Sequence, residues 1–374
     1  MTSARITGTG ALAACVLTLM MMFAAEARAQ QPAAAACSYR GPLDDMYCDE
    51  NRDMVADPPR DPARLRDPQT LVFAYTPVED PALYANQFRP FTDYLTQCTG
   101  RRVVYFQVTS NAAQIEAMRS GRLHIGGFST GPTAFAVNLA GAVPFAVKGN
   151  DEQFESYRVA MIVRADSPFR QLSDLKGRRV AHTSATSNSG NLAPRAFFPA
   201  LGLAPDTDYR VVYSGGHDRS VMGVNSGDYD AAPVASDVFA RMIARGQVRA
   251  ETFRVIWQSD PFPTSSFALA HDLQPALAQR IRECFFAFRF PPAMSREIGG
   301  NTRFWPVTYQ REWAPVRAVA DAVNAPYNRA AFEAESRAEA EAAARRAQQQ
   351  QQQQAPAQPA PAAPVAPAQP QARP

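Results

Sequence analysis

"RRVAHTSATSNSGNLAPRAFF", residues 178–198, decides the fold. Its first five residues read as a short strand leaving the Lys176-Gly177 turn, and beyond the loop Leu192, Ala196, Phe197 and Leu201 share one helical face. Between strand and helix lies a run of Thr, Ser, Ala and Asn closed by Gly190. Strand, hydroxyl-rich loop and helix in that order form the junction of an α/β unit. The first N–H groups of a helix have no intrahelical partner, so such a junction presents donors and a positive dipole end to an anion. The plainer role for Ser187 or Ser189 is to cap the helix.

The same alternation extends to both sides. Upstream, "TLVFAYTP" is an apolar run ending in a turn, as a buried parallel strand reads. "LYANQFRPFTDYLTQCTG" carries Phe88, Phe91, Tyr94 and Leu95 at helical spacing, and "RRVVYFQV" is a second strand. "NAAQIEAMRSG" is a helix, and "LHIGGF" is a third strand feeding the turn "STGP". Downstream, "YRVAMIVRADSPF" leaves the first lobe. "YRVVYSGG", a helix from His217 to about Asn225 and "YDAAPVAS" then continue a second set. "FRVIWQSDPFP" and "SSFALAHD" read as strands returning to the first lobe, followed by a helix from Gln274 to about Phe288. Repeated strand–helix–strand units predict two parallel-sheet lobes joined by two crossings, with ligands held by loops at strand C-terminal ends. Those loops, "TPVED", "VTSNA", "FSTGP", "TSATSNSG", "SGGHD" and "ASD", are rich in neutral donors and poor in charge. They suit a small, dehydrated oxyanion.

The ends differ in kind. Residues 1–29 carry an apolar run from Ala11 to Ala25 and then Ala27-Arg28-Ala29, the pattern of a secretory signal peptide cut after Ala29. The apolar run is too short for an ordinary span, and the order around Cys15 is wrong for lipidation. A Pro/Asp-rich lead-in covers 30–66. Lobe 1 begins at 67–158, lobe 2 covers 159–254, and 255–329 returns to lobe 1. From 330 to 374 a charged Ala-rich helix runs into Gln, Ala and Pro repeats that cannot bury a core and read as a spacer. Beyond the leader Cys37, Cys48, Cys98 and Cys284 remain, an even number that allows three disulfide pairings; one closes a local loop at Cys37 and Cys48 and leaves Cys98 to Cys284. With 38 Lys and Arg against 35 Asp and Glu, the net charge of +3 indicates no nucleic-acid surface. The cysteine spacings and four scattered histidines form no metal site, and the glycine pairs form no dinucleotide fingerprint, so no cofactor is expected.

In this order "LVFAYTP", "EAMRSGRLHIGGFSTGPTAF", "SDLKGRRVAHTSATSNSGNLAPR", "SGGHDRSVMGVNSGDYDAAPVASDVF" and "VIWQSDPFP" resemble the periplasmic phosphonate-, phosphite- and phosphate-binding proteins of ABC importers, from about Gln69 to Phe290. The resemblance implies a type II periplasmic-binding-protein fold, two Rossmann-like lobes joined by two crossover strands. It also implies a monomer that delivers a small anion to a membrane permease. It matches Ser187, Asn188, Ser189 and Gly190 to the family's phosphonate-holding Ser-Thr-Ser-Gly loop, His217 to the His of its "GH(D/E)" turn, and Asp237 to a carboxylate in the next loop. Ser129 and Thr130 are the candidates from the opposing lobe. Two positions where members place Tyr hold Phe128 and Asn111 here. The acid that aminoalkylphosphonate binders carry near the return strand is replaced, Ser265 being nearest. A His217 touching an oxyanion is expected to be a cation, with affinity falling as pH rises. A receptor-signalling role is the alternative reading of the same chain. A hydrolase with Ser187 or Ser189 as nucleophile and His182 or His217 as base lacks G-x-S-x-G, Ser-x-x-Lys and metal-ligand patterns, so no catalytic residue is expected.

Overall fold

The computed structural model describes residues 37–334 together with 336, 337, 340, 341, 344 and 348. The leader, Cys15 and most of the Gln/Ala/Pro tail, with the readings made of them, lie outside the described residues. The chain divides into two units at Ser38; of the first, Cys37 and Ser38 are described, and the second, from Tyr39 on, carries both lobes.

In chain order the first lobe opens with β1 (Thr70–Tyr75), α1 (Pro81–Gln87), α2 (Arg89–Thr99), β2 (Arg102–Tyr105), α3 (Asn111–Arg119), β3 (Ile125–Phe128), α4 (Thr130–Ala140) and β4 (Ala142–Gly149). The second follows with β5 (Ser156–Tyr157), β6 (Val159–Arg164), β7 (Arg179–His182), α5 (Ala193–Phe197), β8 (Arg210–Tyr213), α6 (His217–Ser226), β9 (Ala231–Ala235), α7 (Ser236–Ala244) and β10 (Phe253–Gln258). The return is β11 (Phe262–Pro263), β12 (Ser266–Ala270), α8 (Pro275–Ala287), α9 (Pro292–Glu297), β13 (Arg303–Pro306), α10 (Tyr309–Glu312) and α11 (Ala314–Ala322). One sheet has the order β13-β4-β12-β3-β1-β2, the other β10-β6-β9-β7-β8, and β5 pairs with β11 between them. Within each lobe the strands that open the α/β repeat, β1–β3 and β7–β9, pair in parallel. The strands that cross between lobes, β6 and β12, run antiparallel to their neighbours.

Local sequence explains most of these elements. Asp80 caps α1 through Ala82 N–H, Pro81 and Pro90 occupy first-turn positions, and Gly100 ends α2 in the left-handed region at φ 68°. The first lobe is held by an aromatic cluster in which the Phe285 ring sits 4.7 Å from Phe91 and 4.8 Å from both Phe145 and Phe304. Truncating Phe285, which is fully buried, removes contacts from three elements at a cost of about 3–5 kcal/mol. The Cys98–Cys284 disulfide staples α2 to α8 across 186 residues, and Cys37 and Cys48 are also disulfide-bonded.

Two readings change. Residues 253–258 do not return to the first lobe: β10 is the edge strand of the second sheet, antiparallel to β6, and the crossing comes after it. The start of the tail is docked, because Phe332 is buried against Phe135 at 5.8 Å between ring centroids. β4 carried no clear strand signal because Pro144 interrupts it; the proline sits at a register shift opposite Ala268, where a ladder tolerates a missing N–H. Among the described residues no helix is long and apolar enough to cross a membrane, and no His, Cys, Asp and Glu cluster is placed to hold a metal.

Candidate functional site

The C-terminal ends of the parallel strands in both sheets face one another across a cavity of about 50 Å³. Eight of the expected residues line it: Asn111, Ser129 and Thr130 from the first lobe, and Ser187, Asn188, Ser189, His217 and Asp237 from the second. The loop after β7 reaches it through a single π turn, Asn188–Leu192, that runs directly into α5. Such turns widen the helix and are frequent at functional sites. Ser187 both lines the cavity and caps the turn, its Oγ accepting from Gly190 N–H at 3.1 Å.

Hydrogen bonds cross the cleft. Thr76 Oγ1 donates to Asn111 Oδ1 at 2.8 Å, and Asn111 Nδ2 donates to Thr186 Oγ1 in the other lobe at 3.1 Å. His217 N–H donates to Val78 O at 3.3 Å. Asn111 therefore spends its amide joining the lobes.

His217 carries the chief correction to the sequence reading. Its Nδ1 accepts from Ala235 N–H at 3.3 Å, so the ring proton sits on Nε2, which faces Ser189 Oγ at 3.1 Å. A cation has no lone pair to accept the Ala235 bond. Complete burial pushes the pKa down to about 4, against the pull of Asp237 and Glu79. The imidazole is a neutral donor at physiological pH, not the expected cation. The same tautomer leaves Nε2 without a lone pair to take a proton from Ser189, which removes the base from the serine–histidine arrangement. His182 lies elsewhere, between Asn191 and Tyr209 at 2.9 and 2.8 Å.

Phe128 and Gly190 do not line the cavity. Phe128 is fully buried on β3, with its ring over Gly126. Gly190 is required because a Cβ there would collide with the Thr183 side chain, so its small size serves packing of the loop on itself.

The sequence reading did not single out Tyr75, Tyr157, Thr183, Thr264 and Arg241, which also line the cavity. Tyr157, on a crossover strand, accepts from Asn188 Nδ2 at 2.9 Å, and burial pushes its pKa up to about 12, so it keeps its proton to donate. Tyr75 accepts from Lys148 Nζ at 3.3 Å. The cavity thus has two phenols although the positions where family members place Tyr hold Phe128 and Asn111 here. The position of Tyr75, at the C-terminal end of β1, was the available signal.

Asp237 Oδ2 accepts from Arg241 Nη1 at 2.8 Å, and Arg241 also pairs with Glu79 at 2.9 Å. Burial raises the Asp237 pKa, but Arg241 more than offsets it, so the carboxyl is held below its usual range and ionised. Four buried polar atoms of cavity-lining residues have no hydrogen-bond partner: the hydroxyls of Thr183 and Thr264, Asn188 Oδ1 and Asp237 Oδ1. Two of these sites can donate and two only accept.

Relatives share this frame. A phosphate-import protein of Mycolicibacterium smegmatis is 27% identical over 234 residues, 58% of this chain and 71% of that protein. The phosphonates-binding periplasmic protein of Escherichia coli is 23% identical over 242 residues, 63% and 68% respectively. A Prochlorococcus marinus protein solved with methylphosphonate superposes with a TM-score of 0.62 at 17% identity, covering 69% of this chain and 99% of that one. The family model described as the periplasmic phosphonate substrate-binding protein of ABC transporters matches residues 73–310, and the chain belongs to that family.

Proposed function

We propose that this cavity captures a small phosphorus oxyanion in a form that still carries a P–OH proton, and that the exported protein hands it to an ABC permease. The observation that carries the reading is the unpartnered set. Thr183 and Thr264 hydroxyls, with the Tyr157 phenol, offer donors to P–O oxygens, while ionised Asp237 Oδ1 has only an acceptor to offer. A bound P–OH satisfies Asp237, whereas a fully deprotonated anion sets oxygen against carboxylate. Phosphate, phosphite and methylphosphonate qualify; sulfate, which holds no proton at neutral pH, does not.

An aminoalkyl substituent fits poorly. The other oxygen of Asp237 is already held by Arg241, and Ser265 stands where an acid for the ammonium would be needed. The nearby buried charges balance: Asp237, Glu79 and Glu155 against Arg241, Arg245 and Lys148. Selection therefore rests on matching hydrogen bonds rather than net charge.

Titration calorimetry at pH 7 with phosphate, phosphite, methylphosphonate, 2-aminoethylphosphonate and sulfate tests this, on protein unfolded and refolded to strip carried-over ligand. One of the first three is expected to bind at least about 100-fold tighter than sulfate, roughly the 3 kcal/mol of one charged acceptor left unmatched. Equal binding of sulfate overturns the reading.

A further inference from the structure

Glu79 lies in the loop between β1 and α1 of the first lobe, with its side chain 2% exposed. Tyr84, also in the first lobe, donates its hydroxyl to Oε1 at 3.4 Å and fixes the carboxylate there. Both oxygens are taken by the second lobe. Arg241 Nη2 and Nε approach Oε1 at 2.9 and 3.2 Å, and Arg245 Nη1 approaches Oε2 at 2.6 Å. Arg245 reaches further into the first lobe, donating to Glu297 O at 2.7 Å. Arg241 projects from α7, whose first turn carries Asp237, and Arg245 is the C-cap residue of the same helix. One helix of the second lobe therefore grips one carboxylate of the first.

We propose that Glu79 is an interlobe latch that holds the cleft closed independently of the ligand. Opening the lobes strips two guanidinium groups from one carboxylate. A buried carboxylate is stabilising only when its geometry is good and its oxygens are satisfied, and both oxygens of Glu79 are. The latch raises the fraction of protein in the binding-competent closed form, so apparent affinity for every ligand scales with it. Glu79 does not line the inner cavity, which separates this role from ligand contact.

The test compares Glu79→Gln, Arg245→Gln and the double variant with the parent protein. Spin labels at exposed Gln107 of the first lobe and exposed Met222 of the second report lobe separation without ligand. Thermal unfolding checks each fold. Each single variant is expected to lengthen the inter-label distance in the ligand-free protein and to weaken all binding anions by a common factor of about 10. The double variant is expected to lose less than the product of the two singles, because both remove one pair. An unchanged distance overturns the latch. So does a loss that falls on one anion and spares another, since that marks a ligand contact. If no anion binds, the reading of the cavity fails while the ligand-free distances still decide the latch. Should Glu79→Gln not fold, Arg245→Gln, at the 22%-exposed partner, carries the same comparison.

Discussion

Gly131 gives the sharpest test that this closed cleft is the binding form. It is the second residue of α4, a helix buried along its whole length in the first lobe, and its backbone abuts the loop after β7 in the second. A Cβ at Gly131 would collide with the backbone carbonyl of Thr186 and lie 3.0 Å from Asn188 N. Both obstacles are main chain, so no rotamer relieves them, and α4 has no exposed side toward which to move. The loop has to retreat by about 1 Å to restore ordinary contact. That displacement lengthens the 3.1 Å Asn111–Thr186 bond past hydrogen-bonding range and draws Asn188 and Ser189 away from the first-lobe side of the cavity. Two or three bonds lost at about 1 kcal/mol each amount to a 30- to 150-fold rise in Kd. Once the lobes separate, the same methyl group stands in a helix, where Ala is preferred over Gly by about 0.5–1 kcal/mol, which offsets part of the closed contacts that the variant also loses without ligand. Gly131→Ala is therefore expected to change the ligand-free thermal midpoint little while losing nearly all ligand-induced stabilisation, read by calorimetry and thermal shift together. Affinity within threefold of the parent protein refutes the argument, because it means that ligand is held with the lobes further apart than here.

Asp237→Asn replaces an acceptor-only group by an amide that can also donate, and it is expected to narrow the preference for phosphate or methylphosphonate over sulfate by at least about tenfold; an unchanged ratio removes Asp237 from selectivity. Nitrogen NMR of His217 at pH 6 is expected to show the neutral Nε2–H tautomer, and a cationic ring there contradicts the Ala235 bond. All four histidines, His124, His182, His217 and His271, are held down to about 4, each chiefly by burial. The unfolded chain binds protons that the folded one refuses, so their stabilisation is complete above the unfolded value near 6.5 and is lost as pH falls toward 4. Between pH 8 and pH 5 each contributes a loss of about 2 kcal/mol, and a denaturant midpoint that stays flat over that range is the contrary result. Removing the Cys98–Cys284 link as Cys98→Ala with Cys284→Ala frees a 186-residue separation in the unfolded chain and is expected to cost about 4–5 kcal/mol, measured by urea unfolding; a loss below about 1 kcal/mol refutes it.

Much of this architecture was legible in order and period. The parallel strands read from their apolar runs, and α2, α3, α6 and α8 read from helical spacing and from the turns that end them. The loops at strand ends then located the cavity, because that placement follows from α/β topology whatever the ligand. What escaped was set by tertiary partners. No local signal says that Phe128 turns into the core while Tyr157 reaches the cavity from another strand, since each faces according to sheet register. The neutral state of His217 comes from its burial in the fold, and its tautomer from one N–H of Ala235, 18 residues away. Arg241 looks like one more helix-surface arginine until Glu79, 162 residues earlier, is brought against it.

These misses share a cause that bears on the chemistry. A hydroxyl-rich loop and a histidine suggest, one residue at a time, an anion met by positive charge. In the folded site the nearby buried guanidinium and ammonium groups are each committed to a carboxylate, and the histidine is neutral. The residues that line the cavity without a committed charge carry hydroxyls, phenols, a neutral imidazole and an amide, and one carboxylate oxygen is left without a partner. A net positive cavity would hold any small anion and release it slowly, which defeats both discrimination and delivery. A charge-balanced cavity holds an anion only to the extent that its acceptors and its proton meet their counterparts. An ion with the wrong protonation leaves buried groups unmatched at several kcal/mol.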